Sequence, residues 1–452
     1  MTNSDPRADE RLTPVYARRQ FSDVPKNRLP ASETDPDSAY QLIHDELMLD
    51  GNSRLNLATF VTTWMEPQAA KLMAETFDKN MVDRDEYPQT AEIERRCLEI
   101  VSALWNAPSS SNSDPAVGTS TVGSSEAAML GGLAMKLRWR QQRGDAAGTP
   151  NLVMGINVQV CWEKFCRYWD VEPRFVPMEA DRLHLGVEEA VALCDENTIG
   201  VIGILGSTYD GSYEPIQQLA SALDELEKTT GLDIPIHVDA ASGGFVAPFL
   251  QPELVWDFQL ERVVSINSSG HKYGLVYPGV GWIVWRDRDH LPEDLVFYTN
   301  YLGGPEPTMA INFSRPGSQV VAQYYNFVRL GYEGYRRIHQ ASQDVALWIS
   351  DQLEQTGAFE ILTTGIDLPV LTYRFTGEGL PTEFDLSERY RDRGWQIPAY
   401  TFPDNRSDIT ALRIVCREGF SLDLAAGVIA DTKRHLDYFR GNTAAPGAGF
   451  RH

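Results

Sequence analysis

Apolar and polar positions along this chain follow two periods, and each change of period marks an element. The run TIGVIGILGST, residues 198 to 208, is apolar almost throughout, the pattern of a strand buried on both faces. Pro215 then opens a segment in which Ile216, Leu219, Leu223 and Leu226 recur at helical spacing, and Gly231 stops it. DIPIHVDAA follows as the next strand. Strand, helix and strand in that order form a βαβ unit, which implies a parallel sheet. From Ser318 a long helical pattern leads to a final unit, where strands LPVLTYRF and ALRIVC alternate with helices over residues 383–395 and LDLAAGVIADTKRHLDYF. Arg413 and Val415 share one face of the ALRIVC strand.

The N-terminal thirty-odd residues show no such periodicity and are rich in Pro, Asp, Arg and Ser, as expected of a loosely ordered arm. Tyr40, Ile43 and Leu47 then mark a helix, with Gly51 as its expected C-cap. The expected organisation is an arm and helical segment over 1–54, a large domain over 55–342, and a small α+β domain over 343–452 ending in a flexible tail.

Composition narrows the function classes. The net charge of -23 opposes nucleic-acid binding, which needs a cationic surface. No apolar run reaches the roughly 18 residues of a membrane span, and the charged start lacks a secretory apolar region, so a cytoplasmic location is expected. Cys97, Cys161, Cys166, Cys194 and Cys416 form no C-x-x-C pair, so neither a disulfide framework nor a metal site is expected.

Three stretches carry candidate chemistry. HVDAASGGF ends its strand with His237, Asp239 and Ala241 on one side, at the sheet end where ligands bind in open α/β folds. Asp239 there is either a helix N-cap or a functional acid. About thirty residues later INSSGHKYG places Lys272 after a small, polar turn. An acid for a ring nitrogen and a lysine for an imine are what a pyridoxal phosphate site requires. Gly123, Ser124 and Ser125 precede an apolar helical stripe of Leu130, Leu133, Ala134 and Leu137, so they are either a simple N-cap or a phosphate cup at a positive helix terminus.

The ordered set NLATF, EYPQTAEIE, VGSSEA, HVDAASGGF, SGHKYGL and NFSRPGSQV strongly resembles glutamate decarboxylases of bacteria and plants, in the group II pyridoxal-phosphate decarboxylase family. The resemblance runs from about Tyr40 to the C-terminus. It implies an aspartate-aminotransferase-like α/β fold (fold type I) and decarboxylation of L-glutamate to 4-aminobutanoate, one proton being consumed. The family pattern assigns Lys272 to the covalent link with pyridoxal 5'-phosphate and Asp239 to its ring nitrogen. It gives the phosphate to Ser124, Ser125, Ser269 and His271, with Ser314 reaching in from the neighbouring subunit. Gln159 and Ala241 would flank the ring, and Thr208 would meet its oxygen, while His237 is read as structural. For the substrate it implies Thr59, Phe60 and, across the interface, Asp83 at the distal carboxylate, and Arg413 at the α-carboxylate. The expected assembly is a homodimer at minimum with shared active sites, hexamers being left open. A basic, Trp-containing extension is lacking, so no calmodulin-binding tail is expected. The ending Phe450, Arg451, His452 resembles a family tail that closes the site near neutral pH, which would make His452 regulatory. Competing readings are a decarboxylase for aspartate or an aromatic amino acid, an aminotransferase, or a non-catalytic protein on the same fold.

Overall fold

A computed structural model describes residues 26–108, 115–144, 148–299, 306–377 and 381–442. The first 25 residues and the tail with His452 lie outside the described residues. Two compact units divide between residues 52 and 53. In the first, the helix Pro36–Leu47 is capped by Asp35, whose side chain accepts from Ser38 N at 3.0 Å. It ends at Met48 rather than at Gly51, because Met48 keeps right-handed geometry and its N–H returns to Asp45 O and Glu46 O. No left-handed residue is needed there.

The second unit is built on a seven-stranded sheet among the described residues: β1 Val117–Thr121, β2 Asn151–Gly155, β3 Glu172–Val176, β4 Thr198–Ile204, β5 Ile236–Asp239, β6 Val263–Ser268 and β7 Gly281–Trp285. Their spatial order is β1-β7-β6-β5-β4-β2-β3. Strands β3, β2, β4, β5 and β6 pair in parallel, and β7 alone runs against its neighbours. Both faces are covered, which explains the unbroken burial of β4, β5 and β6. The expected helix after Pro215 spans Ile216–Thr230 and closes on Gly231 at φ 78°. The chain leaves the β1 edge through the helix Ser124–Arg143, crosses the sheet, and re-enters at β2 beside the far edge. That crossover brings the start of the helix to the same sheet end as the tips of β4 and β5.

The helix Ser318–Glu354, kinked at Gly331, packs Val320 and Ala322 into the large core and Val345, Ile349 and Leu353 into a second, smaller core. The expected division at residue 342 falls inside it. The second core belongs to a four-stranded antiparallel sheet in the order Phe359–Thr363, Val370–Phe375, Thr410–Val415, Ala399–Thr401. On Thr410–Val415, Leu412 and Ile414 enter this core while Val415 joins the large one. Arg413, on the Val415 side, is thereby turned toward the tips of the large sheet.

Candidate active site

A cavity of about 310 Å³ opens at the C-terminal ends of β4 and β5. Ser124, Ser125, Gln159, Thr208, Asp239, Ala241, His271 and Lys272 line it. Ser269 joins this group by donating from Oγ to Ser124 Oγ at 2.7 Å. A larger cavity of about 530 Å³ lies at the opposite end of the strands, against Thr198 and Pro235. Its Arg262 is already paired with Asp224, Glu227 and Asp233, so its charges answer one another.

The smaller cavity is polarised. At one end the helix Ser124–Arg143 presents first-turn N–H groups that have no intrahelical acceptor, together with the Ser124 and Ser125 hydroxyls. His271 adds a donor. Its Nδ1 accepts from Val280 N at 3.3 Å and Gly279 N at 3.4 Å, which leaves the proton on Nε2. Burial, helped by the Lys272 charge, pushes this imidazole down to about 4, so it is neutral over most working pH values. At the other end stands the buried Asp239, whose Oδ2 accepts from Trp162 Nε1 at 2.8 Å and Oδ1 from Asn267 Nδ2 at 3.0 Å. Between them Lys272 Nζ donates to Ser242 Oγ at 3.2 Å. Burial lowers the affinity of this amine for its proton, against the pull of Asp239, and so favours the nucleophilic form.

Above the lysine lies the loop carrying Thr59 and Phe60. Thr62 fixes it, its N donating to His271 O at 2.8 Å and its Oγ1 to Lys272 O at 2.7 Å. The Phe60 ring then sits 5.4 Å from Lys272 Nζ and 4.8 Å from the Arg413 guanidinium. Arg413 donates to Thr208 O, and to Ala58 O at 3.0 Å, while its buried Nε has no partner. Asp83 and Ser314 do not line the cavity of their own chain. They lie together instead: Asp83 N donates to Asn80 O at 3.2 Å, and Asn80 Nδ2 to Ser314 Oγ at 3.3 Å.

A donor-rich helix N-terminus, a buried amine and a carboxylate distribute the charges that a phosphate, an aldehyde and a basic ring nitrogen would meet. The donor set therefore fits pyridoxal phosphate. The sequence pattern of the pyridoxal-dependent decarboxylase conserved domain matches residues 30–376. The chain belongs to the pyridoxal-dependent decarboxylase family. Among similar members is the glutamate decarboxylase of Aliivibrio fischeri, 52% identical over 98% of each chain. That of Petunia hybrida is 49% identical, over 95% of this chain and 86% of its own. The solved glutamate decarboxylase of Lactobacillus brevis superposes with a TM-score of 0.91 at 46% identity, covering 95% of this chain and 98% of that one. Pyridoxal phosphate is the cofactor of this decarboxylase, and the fold is the fold type I arrangement expected.

Sequence reasoning missed several members of the site. Trp162 lies in the helix Val160–Tyr168, and its bond to Asp239 spans 77 positions of chain that no local pattern links. Arg417 is buried and donates from Nε to Thr59 O at 2.9 Å and from Nη1 to Thr63 Oγ1 at 2.7 Å. Its recurrence four residues after Arg413 was the available signal.

Proposed function

We propose that this chain decarboxylates L-glutamate at Cα to 4-aminobutanoate, consuming one proton, in a site completed by a second copy of the chain. The observation that carries this reading is the cavity itself. It joins a buried lysine, an aspartate at the tip of the adjacent strand and a helix N-terminus, with an arginine beside it whose Nε is unpaired. When bound, the cofactor supplies the electron-withdrawing ring that accepts the electron pair left at Cα.

The chain's own residues do the rest. Lys272 Nζ, whose hold on its proton is weakened by burial, would be the group that holds the cofactor's aldehyde carbon. Asp239 would accept from the ring nitrogen and favour its protonated form. Gln159 and Ala241 would flank the ring, and Thr208 would meet its ring oxygen. The phosphate falls to Ser124, Ser125, Ser269 and His271, with Ser314 of the second copy. Arg413 binds the α-carboxylate and orients the bond to be broken. The Phe60 and Tyr400 rings lie 4.8 and 5.5 Å from its guanidinium. Thr59 and the Phe60 backbone receive the distal carboxylate, with Asp83 of the second copy. The proximity of Asp83 and Ser314 to each other, outside their own cavity, supports that exchange between copies.

Among the described residues no helix is long and apolar enough to cross a membrane. The test is carbon dioxide release from glutamate, aspartate and aromatic amino acids, with products identified. Release from glutamate alone, matched by 4-aminobutanoate, is expected. Comparable release from another substrate, or an oxo acid in place of the amine, would refute the assignment.

A further inference from the structure

A line of hydrogen bonds runs behind Asp239 through residues that the proposed chemistry does not use. Ser265, His237 and Asn267 are all fully buried. His237 Nδ1 lies 2.7 Å from Ser265 Oγ, and its Nε2 lies 2.7 Å from Asn267 Oδ1. Asn267 Nδ2 then donates to Asp239 Oδ1 at 3.0 Å. The parallel register pairs His237 with Ser265 and Asp239 with Asn267. Because strand side chains alternate, all four occupy one face of the sheet.

The direction of the line is forced one step at a time. An ionised carboxylate can only accept, so Asn267 must turn its amide nitrogen to Asp239 and its oxygen to His237. That oxygen requires the histidine proton on Nε2. Nδ1 is then an acceptor, and the Ser265 hydroxyl supplies its donor. Burial pushes the His237 imidazole down to about 4, so it holds a single proton and cannot satisfy both orders at once. Turning the Asn267 amide over would set two oxygens 3.0 Å apart, which only a protonated Asp239 would tolerate.

The imidazole is also mechanically held. The edge of Trp162 packs on it with ring centres 5.1 Å apart, and Trp162 donates to the other Asp239 oxygen. On the helix Ser124–Arg143, a Cβ at Gly131 would stand 2.4 Å from His237 Cε1, so the helix backbone closes directly on the ring. The remaining titratable groups facing Asp239 are Lys272 and Cys161.

We propose that Ser265, His237 and Asn267 are positioning residues, a polarised relay that fixes Asp239 as an acceptor toward the ring nitrogen of the bound cofactor. The inference rests on the site reading given above. Its test uses holoenzyme loaded with pyridoxal phosphate labelled with nitrogen-15 in the ring, whose chemical shift reports protonation at that atom. In the wild type the signal is that of a protonated nitrogen and does not move with pH. Asn267→Asp keeps the shape but sets two carboxylates side by side, so one proton is shared between them and the ring signal becomes pH-dependent. Asn267→Leu removes the donor and shifts the signal toward the unprotonated nitrogen. In both variants kcat falls by about 10- to 100-fold, the scale of one hydrogen bond to a charged group, while KM for glutamate stays within about threefold. A purely structural role would lower the melting temperature and leave the ring signal pH-independent at its wild-type position, and that result would overturn the relay. Absence of lysine-bound cofactor in the wild type would overturn the site itself, a separate failure visible before any variant is made.

Discussion

Arg417→Met tests whether substrate binding depends on how the loop around Thr59 is held. The guanidinium donates to Thr59 O at 2.9 Å and Thr63 Oγ1 at 2.7 Å, with a further bond to Asn56 O. Methionine keeps most of the apolar stem and removes every donor. A hydrogen bond to a charged group contributes about 1.5–3 kcal/mol, so the two bonds that hold the Thr59–Thr63 stretch would set an upper range of about 3–6 kcal/mol. The loop keeps other tethers: Leu57 N to Gln396 O at 3.0 Å, Val415 N to Leu57 O at 3.0 Å, and both Thr62 bonds to the His271–Lys272 backbone. Leu57 stays tethered, so only the Thr59 end of the loop is freed, and about half of that range, roughly 1.5–3 kcal/mol, should appear at the substrate. At about 1.4 kcal/mol per tenfold, KM for glutamate should rise by about 10- to 140-fold. Steady-state kinetics with parallel absorbance measures this. The yellow band of lysine-bound cofactor should persist, because Thr62 still holds the lysine side of the loop. Loss of that band with an unchanged KM would show that Arg417 supports the cofactor and not the substrate loop.

Two further outcomes are expected. Asp83→Asn removes a negative charge proposed to face the distal carboxylate, so KM at neutral pH should fall; an unchanged KM would remove Asp83 from the site. His339 is fully buried among Phe249, Tyr273 and Tyr335, neither ring nitrogen has a well-formed partner, and burial pushes it down to about 3. The unfolded chain therefore takes up this proton near 6.5 while the folded chain resists until about 3, so stability drains away as pH falls between those values. His339→Phe should remove up to about 1.36 kcal/mol per pH unit from that slope, measured by denaturant unfolding from neutral pH down to about 4. An unchanged slope would mean that His339 titrates alike in both states.

Much of the site was legible because its residues occur in short, ordered stretches. β4, β5 and the helix after Pro215 follow from uninterrupted apolar runs and a left-handed glycine stop, and these place Asp239 and Lys272 at one sheet end. The start of the helix Ser124–Arg143 was legible as Gly-Ser-Ser before an apolar stripe. What sequence did not disclose depends on contacts between distant elements. Trp162 reaches Asp239 across 77 positions of chain, and Arg417 reaches Thr59 across 358. His237 was read as structural, and local pattern could suggest no more. Its partners Ser265 and Asn267 lie on the next strand, and the register that aligns them is set by tertiary packing. Gly51 misled for the opposite reason, since a helix end that stays right-handed leaves no mark of its own.

The central claim is that Lys272, and no other lysine, carries the cofactor in the cavity at the tips of β4 and β5. Borohydride reduction of the native holoenzyme, followed by proteolysis and mass spectrometry, tests it most directly. One pyridoxyl-modified site is expected, in the peptide containing SSGHKYG, with loss of that modification together with all glutamate decarboxylation in Lys272→Ala. Modification at a different lysine, or a Lys272→Ala enzyme that still fixes cofactor and releases carbon dioxide, would contradict it.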